Sequence, residues 1–368
     1  MKIKKCLITE YRDPSTNTAF AKAPNDVATV ARRMGFEDLE LKVWNPQGRF
    51  GSKLQRLAFY WKCFTNGYGV PKGSVFLVQH PMNGIFSGRW GLGLGMFFFR
   101  RLVKRAGAKV VAIIHDLEDI RAWFVNPNED SMADTRRLQQ VADIIIVHNA
   151  AMKKWLVEHG TDESAIVVLD IFDYLTENYA PKAELPFDRC VTVAGNMRLD
   201  KSLYISKLKE VTDVEWHLYG NRYEADKCDG PNVHYHGVFP PEVLLSEMQH
   251  GFGLVWDGVS ADTCEGNTGV YLKINNPHKL SMYLTAGLPV IIWEESARAD
   301  FVRENDVGIT VASLRDVRKV LDAITPERYA ELRANVLKMS EKLRNGYFTT
   351  RAIELASEKL YPSVNGVE

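Results

Sequence analysis

Residues 275–292 read NNPHKLSMYLTAGLPVII, and their reading decides the fold. Asn275, Asn276 and Pro277 are turn formers. A proline has its φ preset for the first helical position, and Asn276 ahead of it can cap the helix. His278 and Lys279 then fall in the first turn, where free backbone N–H groups point outward. A cation there opposes the helix dipole, so Lys279 is not placed for helix stability. N–H groups together with a lysine make a phosphate cradle. Leu280, Tyr283 and Leu284 carry the helix on to Gly287. The run 289–292, PVII, is a short buried strand. The unit is an anion-binding helix feeding a parallel strand.

The same alternation of short apolar runs with amphipathic segments extends over the whole chain and predicts an α/β fold with parallel sheets. In the first half the expected strands are 6–9, 39–43, 74–78, 110–114, 144–147 and 165–169. Helical patterns fall at 26–34, 53–65, 92–106, 132–141 and 150–158. Residues 172–188, with Pro181 and Pro186, have loop composition and mark a domain boundary. A second series follows, with strands at 190–194, 215–219, 233–236, 253–256 and 290–293. Its helices are expected at 202–209, 241–249, 278–286, 297–304, 314–323 and 326–343, and an amphipathic helix covers about 348–360. The chain shows no internal repeat and no low-complexity segment.

Composition bounds the function. A length of 368 residues suits two domains of ordinary size. Forty-six Lys and Arg balance forty-six Asp and Glu, so there is no global field for nucleic acid. Five cysteines form no C-x-x-C pair, which predicts reduced, cytoplasmic chemistry and no structural zinc. The start, MKIKKCLITEYRD, lacks the apolar run of a signal peptide, and no window reaches the roughly 18 apolar residues of a membrane span.

Further blocks are HDLEDIR at 115–121, ADIIIVHN at 142–149, GFGLVWDG at 251–258 and LRNGYFTTR at 343–351. Together with the Y-L-x-x-G-x-P-V-I ending of the opening stretch, they resemble bacterial GT-B glycosyltransferases. The string 267–292 is similar to β-1,6-galactofuranosyltransferases, and to the glucosyltransferases that extend the glycan on streptococcal serine-rich-repeat adhesins. The likeness covers most of the chain in scattered blocks. It implies two Rossmann-like domains facing a central cleft. Residues 1–180 would bind the acceptor and 187–345 the nucleotide sugar, with the helix at 346–368 crossing back to the first domain. It further implies an inverting, metal-independent hexosyltransferase that needs no cofactor and takes galactofuranose or glucose from a UDP-sugar. The acceptor would be a glycan on lipid or protein, reached in the cytoplasm or at the inner face of the membrane. A homo-oligomer fits the same reading. A UDP-sugar epimerase and a catalytically inactive UDP-sugar-binding subunit are the alternatives, and an NAD-dependent oxidoreductase is more distant.

Ligands of such folds sit at strand carboxyl ends, and the candidate residues follow strands. Gly195 lets the backbone approach a ligand closely, Asn196 follows it, and Arg198 or Lys201 can bind a pyrophosphate. The alternative is a Gly-Asn turn with a solvated arginine. Tyr219 can stack on a uracil face, or simply close a strand-end turn. Asp257 precedes, and Tyr271 lies within, a long loop running from 263 to 276 that reads as a donor-binding loop, with both residues as candidate sugar contacts. Asn276, His278 and Lys279 then hold the diphosphate. Sugar transfer needs a base for the acceptor hydroxyl, and Asp116 or His115 can supply it. Asp116 can equally be a helix cap. Metal binding by the 116–119 acidic cluster lacks a histidine partner, so no metal is expected. Thr16 and Asn17 lie in a polar loop that, by the resemblance, reaches over the cleft. Last, the apolar run 90–99 stands beside Arg100, Arg101, Lys104 and Arg105. It is either a core helix with a basic outer face or a peripheral contact with anionic lipid.

Overall fold

The computed structural model describes residues 3–9, 19–41, 51–81, 94–117, 119–120 and 132–362. Two compact units emerge. The first comprises Met1–His148, Met152–Leu169 and Thr349–Glu368, and the second Asn149–Ala151 with Asp170–Phe348. The division thus falls just ahead of the proline-containing loop.

The first unit holds strands β1 (Lys5–Thr9), β2 (Glu37–Glu40), β3 (Val75–His80), β4 (Lys109–Ile114), β5 (Ile144–Val147) and β6 (Ile166–Val168). They form one sheet in the order β2-β1-β3-β4-β5-β6, and every pair is parallel. Helices α1 (Ala19–Arg33), α2 (Gly51–Thr65), α3 (Leu94–Ala106), α4 (Ala133–Gln139) and α5 (Ala150–Glu158) connect them. Strands β3 and β4 are buried almost end to end, as expected of central strands covered on both faces. At the edge, β2 reads EDLE and is largely exposed. It begins before the expected 39–43, because an edge strand can pair through its backbone while its side chains stay polar. At the far end of the chain, Lys359 donates to the carbonyls of Ser164 and Ile166, tying the C-terminal segment to β6.

The second unit repeats the plan. Its strands are β7 (Val191–Ala194), β8 (Trp216–Tyr219), β9 (Val233–Gly237), β10 (Phe252–Val255), β11 (Val290–Trp293) and β12 (Gly308–Val311). They lie in the order β12-β11-β10-β7-β8-β9, again all parallel. Helices α6 (Ala225–Cys228), α7 (Pro241–Glu247), α8 (Gly266–Val270), α9 (His278–Ala286), α10 (Ala299–Glu304), α11 (Val317–Ala323) and α12 (Pro326–Asn345) surround the sheet, and α13 (Tyr347–Leu360) leads out of the unit. The segment expected as a helix near 202–209 is a 3-10 helix over Leu203–Glu210. Strand β12 was not expected, since GITV is short and half-buried.

The opening stretch folds into α9 and β11. Gly287 ends α9 in the left-handed conformation at φ 86°, its N–H reaching the carbonyls of Tyr283 and Leu284. Pro277, rather than Asn276, occupies the N-cap. Tyr283 lies over β10, where a Cβ on Gly253 would come within 2.2 Å of its ring. Its hydroxyl accepts the Ala194 N–H at 2.7 Å, so one buried tyrosine locks α9 to the ends of β7 and β10.

Candidate active site

In the second unit the strand order reverses between β10 and β7. Ligands of parallel sheets bind at such a reversal, outside the strand carboxyl ends. Four chain segments converge there. Gly195 ends β7 and its N–H meets the Tyr219 carbonyl at 2.9 Å. Gly220 ends β8 at φ 152°, and a Cβ on it would lie 1.8 Å from the Gly195 oxygen. The two strand exits therefore touch, backbone to backbone. A Cβ on Gly195 would meet nothing within 4 Å, so space opens on that side. The Gly258 carbonyl accepts the Tyr204 N–H, and Thr268 in α8 donates to the Lys201 carbonyl at 2.6 Å.

Lys279 stands in the first turn of α9. Its Nζ donates to the Trp256 carbonyl at 2.8 Å and to Asp257 Oδ1 at 3.0 Å. Both side chains are partly buried, 20% and 24% exposed. The cation that the sequence left without an internal partner therefore has one, 22 positions earlier in the chain. The pair brings two expected donor contacts, Asp257 and Lys279, into one constellation with the N–H groups of α9.

The loop before α9 is held from an unforeseen direction. Asn149 Nδ2 lies 2.9 Å from the Ile274 carbonyl, 3.2 Å from that of Asn275 and 3.3 Å from Asn276 Oδ1. Asn276 in turn donates to the Asp170 carbonyl. Asn276 is thus a buried brace for the loop rather than the helix cap expected. Asn149 was visible in the ADIIIVHN block, but nothing in one sequence connects it to a loop more than a hundred residues on. His278 stacks on Tyr174 with ring centroids 5.2 Å apart. Tyr271 is buried, 6% exposed.

Two expectations need revision. Tyr219 is 2% exposed and stacks on His236 at 4.6 Å, so the ring expected to receive a base already has an aromatic partner. Arg198 is taken by its neighbour Asp200 through both Nε and a terminal nitrogen, and Asn196 Oδ1 accepts the Arg198 N–H. Lys201 is exposed beside the same turn. Of the two cations left open, Arg198 is the one already paired, in an exposed bridge that solvent can open.

The acid–base candidates belong to the first unit. His115 and Asp116 follow β4, next to β3 at that sheet's centre. His115 Nε2 lies 2.7 Å from Gln79 Oε1, and its N–H reaches the His80 carbonyl. Asp116 Oδ1 accepts the Leu117 N–H at 3.0 Å. The buried Asp119 accepts the Thr135 N–H at 2.7 Å, and burial raises its pKa. It is thereby the acid that anchors a helix, while Asp116 stays half-buried at the strand end. Burial pushes His80 down to about 4, which keeps it neutral. Thr16 and Asn17 lie outside the described residues.

Elsewhere, Asp188, Cys190 and His250 bring donor atoms within 4.8 Å of one another. They sit at the amino end of β7, a strand length from Gly195. Burial raises the Cys190 pKa, leaving a protonated thiol.

Comparison with known proteins bears on the family and the fold. The profile of the glucosyltransferase 3-like N-terminal domain matches residues 5–171, and that of the C-terminal domain matches residues 191–356. The β-1,6-galactofuranosyltransferase WbbI of Escherichia coli (strain K12) is 33% identical over 310 residues, covering 83% of this chain and 86% of its own. Among solved structures, a sucrose-phosphate synthase from Thermosynechococcus elongatus superposes with a TM-score of 0.61 at 14% identity, over 98% of this chain and all of that one. Anabaena Alr3699/HepE, solved with UDP and glucose, gives 0.57 at 10% identity over 99% of this chain and all of its own. These structural likenesses place the fold in the GT-B class.

Proposed function

We propose that this chain, which belongs to the glucosyltransferase 3-like family and is a hexose-transferring glycosyltransferase, draws its hexose from a UDP-sugar. The observation that carries the donor reading is the Lys279–Asp257 pair at the first turn of α9, where β10 ends. A diphosphate arriving there meets outward N–H groups and a cation held in place by a carboxylate. Lys201, six residues after Gly195 and tied through its carbonyl to Thr268 of α8, is assigned as the second positive charge for the diphosphate. The leaving UDP is then neutralised by fixed protein charge, a role that transferases of other folds give to a metal. We read transfer as metal-independent on that ground, and as inverting.

The sugar is galactofuranose, supported by the 33% identity to a galactofuranosyltransferase over most of both chains. The family description favours glucose as the second reading. Asp116 is the base that removes the acceptor hydroxyl proton as the hydroxyl attacks the anomeric carbon. His115, with Nε2 already engaged by Gln79, orients or substitutes for it. The acceptor is a glycan under assembly on lipid or protein. The test is UDP release in chelator with UDP-galactofuranose, UDP-galactopyranose, UDP-glucose and UDP-N-acetylglucosamine side by side. Fastest release from UDP-galactofuranose supports the reading. Release only from UDP-glucose moves it to the second, and isomerisation without an acceptor would refute both.

A further inference from the structure

Two helices of the first unit present apolar side chains to solvent. In α2, Leu54, Leu57, Trp61 and Phe64 are 69%, 62%, 68% and 44% exposed. Their spacing of three, four and three residues sets them on one narrow face. The opposite face of α2 sends Phe59 and Cys63 into the core. A helix with one face on the core normally turns polar residues outward, and α2 does not. On the adjacent α3, Leu94 and Phe97 are 42% and 59% exposed, and Arg101 and Lys104 continue the same face. The two helices are directly joined: Tyr60 stacks on Phe98 at 4.6 Å, and the Arg101 guanidinium lies 4.4 Å over the Phe64 ring.

The charge on these helices is one-sided. Helix α2 carries Lys53, Arg56 and Lys62, and α3 carries Arg100, Arg101, Lys104 and Arg105; neither contains Asp or Glu. The whole chain is neutral, so this concentration is local. The described partners of the arginines are uncharged: Gln140 Oε1 for Arg100, the Phe64 ring for Arg101 and the Phe64 carbonyl for Arg105. Phe97, Arg100, Arg101 and Lys104 line a shallow recess.

We propose that this face docks on a membrane surface rich in anionic lipid. Leu54, Leu57, Trp61, Phe64, Leu94 and Phe97 enter the boundary between headgroups and acyl chains, and the cations engage the lipid phosphates. An anionic bilayer answers both halves of the surface. A second copy of the chain answers only one, because a two-fold contact through this face would bring Arg101 and Lys104 of one copy toward those of the other. Docking is peripheral: among the described residues no helix is long and apolar enough to cross a membrane. The inference holds whichever sugar is transferred.

The test is co-sedimentation of the full chain with phosphatidylcholine vesicles and with vesicles that also contain phosphatidylglycerol. The chain is expected to bind the anionic vesicles alone, and less as salt rises. Leu57→Ser with Trp61→Ser should weaken binding at least about tenfold. Arg101→Gln with Lys104→Gln should weaken it about fivefold per charge and flatten the salt dependence. UDP release with a water-soluble acceptor should be unchanged in both. If the serine pair lowers stability, the charge pair decides alone. Failure of the wild type to bind anionic vesicles overturns the proposal, as does undiminished binding of the charge variant. A dimer that becomes monomeric in the serine variant also overturns it, by making the face an interface between copies.

Discussion

Lys279 Nζ lies 3.0 Å from Asp257 Oδ1, joining the first turn of α9 to the residue two places beyond β10. The pair fixes a lysine that would otherwise lose several rotamers on binding a diphosphate. In the proposed donor site Asp257 is a positioning residue, and Lys279 is the group proposed to meet charge on the leaving nucleotide. Lys279→Ala should lower kcat/KM by about 100- to 1,000-fold, the usual loss when one fixed donor to developing charge is removed. Asp257→Asn, which keeps shape but releases the lysine, should cost less activity than that. Steady-state kinetics on both variants, with thermal unfolding to confirm the fold, checks the order. Near-normal turnover of a folded Lys279→Ala protein would remove the phosphate assignment.

Gly220→Ala tests the strand exits. The added Cβ would lie 1.8 Å from the Gly195 oxygen, and φ is 152° there. Neither strand end can shift without breaking the Gly195 N–H bond to the Tyr219 carbonyl. A destabilisation of about 1–3 kcal/mol is expected from such overpacking, together with weaker UDP binding. Denaturant unfolding measures the first and calorimetry the second. An alanine variant as stable as wild type would show that the two exits do not meet.

Asp116→Asn should abolish transfer, by about 100- to 10,000-fold, while UDP affinity stays within a few fold. Asparagine preserves the acceptor for the Leu117 N–H but cannot take a proton. Lost stability with retained turnover would identify Asp116 as a cap only, and His115→Ala would be the next variant to assay.

A pH dependence follows from two histidines. His217 Nδ1 lies 2.9 Å from His236 Nε2, and its ring stacks on His250 at 4.9 Å. Burial first, then His250, His236 and His234, push its pKa down to about 4, against an opposing pull from Asp188. Burial does the same to His80, against Asp119 and Asp116. The unfolded imidazoles take protons near 6.5, whereas the folded ones stay neutral until about 4. Their contribution to stability is therefore complete above the unfolded value and lost as pH falls from 6.5 toward 4. The unfolding temperature should drop across that window, and His217→Gln should flatten part of the drop. Stability that rises on acidification through the same range would contradict this.

Much of the fold was legible because central parallel strands are continuous apolar runs, as in VFLVQH and KVVAII. Glu37–Glu40 and Gly308–Val311 were harder for the converse reason: edge strands pair through the backbone and need no apolar signature. At the site, local features could be read and distant pairings could not. Gly287 announces its helix end in the neighbouring residues. The partner of Lys279 lies 22 residues away, and Asn149 lies 125 residues from Ile274, so only the folded chain brings them together. Tyr219 shows the opposite error. An aromatic at a strand end suggested a base-stacking surface, but the histidine that covers it comes from the neighbouring strand β9.

The most direct measurement is UDP binding by calorimetry, in excess chelator, to the wild type and to Lys279→Ala. Fixed protein charge at the first turn of α9 predicts that the wild type binds UDP without added metal. It also predicts that the alanine variant binds at least about tenfold more weakly, the loss of one charge-assisted contact. Wild-type binding that appears only with manganese, or a variant that holds UDP as tightly as wild type, would contradict the account.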